Sequence, residues 1–153
     1  MLKRLFSIIV ALSFVLPFGA AAASLSMTEA YKGKVQLPEF NGRDRAYANY
    51  RSRIIAGIKA GPNFAGHYAF VEIGCGTSCR FAFVADVATG QVFSFPFGGE
   101  NYYMLQLQYS VRSPVVQARW VEGDACWQDR IEWDGKAFHS REARAIGPRS
   151  LCE

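Results

Sequence analysis

Side chains able to do chemistry are few in this chain, and they gather in residues 61–79. That stretch reads Gly-Pro-Asn-Phe-Ala-Gly-His-Tyr-Ala-Phe-Val-Glu-Ile-Gly-Cys-Gly-Thr-Ser-Cys and holds two of the four cysteines and one of the two histidines. Three chemistries are open to it. His67, Cys75 and Cys79 could supply three ligands to a soft metal or zinc, but their spacing fits no common zinc pattern. Cys75 and Cys79 could exchange disulfides, yet redox enzymes of that kind generally place two residues between the cysteines at a helix N-terminus, and here there are three. Ser78, His67 and either Glu72 or Asp86 could be assembled into a hydrolase, although nothing in their spacing brings them together. The plainer reading is a structural disulfide, with His67 bonded to a nearby carbonyl.

The compartment decides between thiol and disulfide. Lys3 and Arg4 precede an apolar run, a Pro17 break and the series Ala20, Ala21, Ala22, Ala23, which is the pattern of a secretory signal peptide over residues 1–23, cleaved before Ser24. The apolar core is shorter than the ~20 residues a spanning helix needs, so the reading excludes a membrane anchor after cleavage. An exported chain with an even cysteine count is expected to form disulfides. We expect Cys75 to pair with Cys79 and Cys126 with Cys152. In the chain-entropy account the longer loop is worth ~3.5 kcal/mol and the short ring ~2 kcal/mol, so one braces the fold and the other shapes a loop.

Residues 24–153 are then one domain with one sizeable core. Without Lys3 and Arg4 the formal charge falls from +4 to +2, which argues against nucleic acid as a partner. Arg119, Trp120, Trp127 and Arg130 interleave basic and aromatic residues, a weak nucleic-acid hint that export offsets.

The elements that must present residues 61–79 can be read in order. Residues 24–39 form an extended arm, with a short edge strand near 34–37. A helix is expected over about 43–60: Asn41 would cap it, Tyr47, Tyr50, Ile54 and Ile58 form its apolar stripe, and Gly61-Pro62 stop it. The five basic residues on this helix spread around its polar side as a solvated face. The period then changes to two. Tyr68, Phe70 and Glu72 alternate with Ala69, Val71 and Ile73 in a first strand, and Phe81, Phe83 and Ala85 share one face of a second. Further strands are expected over 91–97, 102–109, 115–121 and 125–133, followed by a polar, irregular tail tied back at Cys152. The architecture is α+β: an antiparallel meander of five or six strands with one N-terminal helix on one face, braced by disulfides. Aromatic residues lie on both strand faces, so the second face is expected to be a half-buried groove.

Three motifs stand out in this frame: Asn63-Phe64-Ala65-Gly66-His67-Tyr68, Gly74-Cys75-Gly76-Thr77-Ser78-Cys79 and the turn Asp86-Val87-Ala88-Thr89-Gly90. In these the chain resembles a family of small exported bacterial proteins of unassigned function. The resemblance covers about thirty residues and supplies no catalytic or binding role. Candidate binding positions are therefore Asn63, Phe64, His67, Tyr68, Thr77 and Ser78, with no catalytic residue, metal or cofactor assigned. The expected function is a non-catalytic binding or inhibitory module, immunity-like in build, for a protein or glycan of the cell envelope. It would present exposed aromatics such as Tyr102, Trp120 and Trp127 to that partner. The alternative is a small envelope enzyme, or a metal or thiol site, centred on His67, Cys75 and Cys79.

Overall fold

A computed structural model describes residues 29–153. The signal peptide expected over 1–23 lies outside the described residues. The period-two stretches do form strands, and all pair antiparallel, but they divide between two sheets. The first is β1 (Tyr68–Gly76), β2 (Cys79–Asp86) and β3 (Val92–Ser94) in that order. The second is β4 (Tyr103–Ser110), β5 (Ser113–Glu122), β6 (Ala125–Trp133) and β7 (Phe138–Ser140), with β8 (Arg144–Pro148) also paired to β6. Helix α1 (Arg51–Ala60) packs on the first sheet, so the fold is α+β as expected.

Two cores explain why one sheet does not suffice. Tyr68 and Phe70 of β1, Ala82 and Val84 of β2, and Phe95 and Phe97 face Leu105, Val116, Ala118, Trp120, Ile131 and Trp133 of the second sheet. On the other side of the first sheet, Ala69, Val71, Ile73, Phe83 and Ala85 meet Ile54 and Ile58 of α1. The first sheet is thus buried on both faces, and the result is three layers. The face expected to be a half-buried groove is closed by the second sheet. Strand pairing along 91–97 stops at Ser94, ahead of Pro96, which has no N–H to give a ladder.

The helix begins later than its stripe suggests. Residues Arg45–Tyr50 form a 3-10 helix, and α1 starts at Arg51. Asn41 does not cap it. Asp44, at 1% exposure, instead turns its carboxylate inward and accepts hydrogen bonds from the backbone N–H of Glu39 (3.0 Å) and of Val92 (3.0 Å) and from Arg43 (2.9 Å). Tyr47 and Tyr50 still reach the sheet, edge-on or tilted against Phe81 and Phe83. No strand forms among the described residues of the arm, 29–39, and so none near 34–37; Tyr31 N–H bonds Gly66 O and Gln36 N–H bonds Val87 O.

Ordering of the tail is the larger departure. Buried Asp129 accepts hydrogen bonds from the Ser140 hydroxyl and the Glu142 N–H, and so fastens the β7–β8 connection. Cys126 and Cys152 are bonded, both at 0% exposure beneath Val121, Met104 and Ile146. Cys75 and Cys79 form the second disulfide, so both expected pairs are present and no described cysteine is free.

Candidate functional site

The first motif turns out to be a junction of the fold. Ala65 and Gly66 both take positive φ, 42° and 84°, folding the chain back so that Phe64 pairs with Tyr68. That tight turn aims its backbone groups outward to three other segments. Ala65 and Gly66 donate to the carbonyls of Ser110 and Val111, Gly66 O accepts from Tyr31 N–H, and His67 O accepts from Val87 N–H. Asn63 grips the start of β1 with both ends of its amide, donating to Phe70 O (3.1 Å) and accepting from Phe70 N–H (2.7 Å). Phe64 is fully buried and Tyr68 nearly so. Of the candidate binding positions, Asn63, Phe64 and Tyr68 are therefore occupied in holding the structure.

His67 is half exposed, lies against the Tyr68 ring (4.2 Å between centroids), and its Nε2 is 3.8 Å from the Asp86 carboxylate. It stands just before β1, whereas Cys75 is eight residues on, near the other end of the strand. At ~3.3 Å per residue the two are roughly 26 Å apart. The chain does not bring His67 together with Cys75, Cys79 or Ser78, and no group of metal-ligating side chains occurs among the described residues.

At that far end the second motif closes the β1–β2 hairpin. The register shifts between Gly74 and Gly76, Gly76 pairs with Cys79, and Ser78 adopts φ 57° at the tip. The disulfide spans this turn, and Thr77 is exposed. Ser78 O accepts a hydrogen bond from Met104 N–H (3.0 Å), which docks the tip onto β4. Between hairpin and β4 lies a cleft of about 400 Å³ lined by Glu72, Gly74, Gly76, Ser78, Arg80 and Gln106, among others. Glu72 in its wall is held by two partners: Arg80 Nη1 donates to it (2.8 Å), and the Tyr109 hydroxyl donates to the other Glu72 oxygen (3.1 Å). Burial, and then the Glu72 charge beside it, push the Tyr109 hydroxyl up to about 12, so it stays protonated and donating at any physiological pH.

Of the candidate binding positions Ser78 lines this cleft and Thr77 is its neighbour in the turn, whereas Arg80 and Gln106 were not among the candidates. One signal pointed to it: Glu72 shares a strand face with Tyr68 and Phe70, and a charge on an otherwise apolar face needs a partner. The aromatics expected to be displayed are not free for a partner. Trp120 is 4% exposed, Tyr102 and Trp127 are half-buried, and all three rings pack together in the inter-sheet core. Comparison of the chain with protein-family models, curated proteins and solved structures gives no match.

Proposed function

We propose that the protein is an exported, non-catalytic binding module of the cell envelope, related to the small exported proteins that share its three motifs, and that it captures an extended segment of a partner protein in the cleft beside the disulfide hairpin. The observation that carries this reading is where the cleft lies. It sits between β1 and β4, each at the edge of its own sheet. Strand edges carry unpaired backbone groups, which an extended peptide can complete. Gly74 and Gly76 leave the β1 side open, with nothing within 4 Å of where their side chains would be. Arg80 and Gln106 add polar groups for orientation. The disulfide keeps this wall in one shape, which reduces the ordering lost on binding. An inhibitory or immunity-like role follows if the captured segment belongs to an enzyme's active region.

Catalysis finds less support. Both cysteines of the hairpin are bonded, His67 is at the other end of β1 from Ser78, and the Glu72 carboxylate in the cleft is engaged by Arg80 and Tyr109. A photoreactive amino acid at position 77 tests the proposal in the native host. Ultraviolet light should yield one protein adduct from position 77 and none from position 53 on α1, and Arg80→Ala should diminish it. His67→Ala should leave the adduct unchanged. Absence of an adduct, or equal adducts from both positions, would refute the reading, and loss on His67→Ala in a folded protein would return weight to an enzyme.

A further inference from the structure

Strand alternation separates the basic residues of the second sheet from its aromatics. Trp120 and Trp127 oppose each other on the inward face, while Arg119 and Arg130 point outward. Register aligns the outward side chains in two rows. One runs Gln106, Arg119, Gln128 and Arg144 across β4, β5, β6 and β8. The other runs Gln108, Gln117 and Arg130 and is extended by Arg141, whose backbone N–H bonds Arg130 O. Arg141 is the only one of the four arginines whose side chain is paired, with Glu132. Among the described residues no carboxylate lies within ion-pair distance of Arg119, Arg130 or Arg144. These two rows contain no lysine and no acid. Arg119 is steadied by the Gln128 amide oxygen (3.0 Å), and a shallow hollow beside Arg130 is lined by Gln108, Ser110, Ser113 and Gln117.

We propose that this outward face binds a linear acidic polysaccharide through its arginines, none of which lines the peptide cleft; the two sites meet only at Gln106. Guanidinium forks match carboxylates in planar, two-bonded geometry. Amide side chains between them both donate and accept, which suits sugar hydroxyls. Arg119 and Arg144 flank Gln128 on adjacent strands, roughly 10 Å apart at ~4.8 Å per strand, a flat rail for an extended polymer carrying repeated charges. Other partners fit less well. Single-stranded nucleic acid binds through stacking on exposed aromatics, and the rows have none. A flat sheet face does not enter a duplex groove as a helix or ribbon does. A lipid surface calls for exposed apolar side chains, and the large exposed ones, Val35, Leu37, Tyr50, Tyr103 and Leu151, all lie off the two rows.

The test titrates the purified, oxidised protein with size-fractionated oligogalacturonate, and in parallel with a neutral dextran oligomer and a short DNA duplex. Amide chemical shifts locate the contact and calorimetry measures affinity. The acidic sugar should bind saturably, with shifts confined to β4, β5, β6 and β8, and dextran should not. Arg119→Gln, Arg130→Gln and Arg144→Gln should each weaken binding about tenfold, while Arg53→Gln on α1 should leave it unchanged. Thermal melting of each variant checks that the exposed substitutions leave the fold intact. No binding, an equal loss on Arg53→Gln, or tighter binding to the duplex than to the acidic sugar would each overturn the proposal.

Discussion

Asp44 shows how a single buried charge can hold elements distant in sequence. Burial alone would push its carboxyl up, but hydrogen bonds from Arg43 and from the N–H groups of Val92 and Glu39 outweigh it and hold the group below the usual carboxylate range. A depressed carboxyl contributes stability that is present above its unfolded value, near 4, and is lost as pH falls through the folded one. Acid unfolding should therefore begin below about pH 4, and Asp44→Asn should flatten that limb while destabilising the protein at neutral pH by about 1–3 kcal/mol, read by urea titration at several pH values. Nothing in the sequence revealed this role, because Val92 is 48 residues away. Gly90 was easier to read: it closes the Asp86 turn at φ 76°, and a side chain there would also strike Leu37 O at 2.4 Å. Gly90→Ala should cost more than 1 kcal/mol.

At the scale of elements, the two disulfides should behave differently. Replacing Cys126 and Cys152 with Ala should cost about 3–4 kcal/mol and release β8 to proteolysis, since that loop is long and its cysteines are buried. Replacing Cys75 and Cys79 with Ser should change stability less, but should loosen the cleft wall, visible as faster amide exchange at residues 74–80. Helix α1 makes a third case. Alanine ordinarily stabilises a helix over glycine, but a methyl at Gly57 would meet Val71 at 2.4 Å. Gly57→Ala should lift the helix off the sheet and lower the melting temperature. Period-two patterns were legible where strands are long and carry aromatics, as in Tyr68 to Ile73 or Phe81 to Ala85. They were not legible in β7 and β8, which are three and five residues long and depend on the Asp129 hydrogen bonds and the Cys152 tie.

For the molecule as a whole, alternation said which residues share a face but not which faces meet. A one-sheet meander and two stacked sheets write the same pattern, and only the excess of apolar faces over one helix distinguishes them. The conspicuous motif from Asn63 to Tyr68 holds the fold together, while the cleft draws on residues of ordinary type, Glu72, Arg80 and Gln106, in ordinary strands. Trp120, Trp127 and Trp133 all pack in the inter-sheet core, so their fluorescence reports separation of the two sheets. Its denaturation curve should coincide with far-ultraviolet circular dichroism in one transition; two separated transitions would mean that the sheets unfold independently.

The turn at Ala65 and Gly66 also bears on how quickly the chain can fold. Its backbone partners are Tyr31, Ser110 and Val111, the last two more than forty residues downstream, so it cannot close until most of the polypeptide is present. Loops of that span must be closed before their contacts repay the lost entropy, and chains dominated by such contacts fold in milliseconds to seconds. A chain that crosses a membrane before folding, as the export proposal requires, is served by that delay: its organising knot stays untied until β4 has emerged.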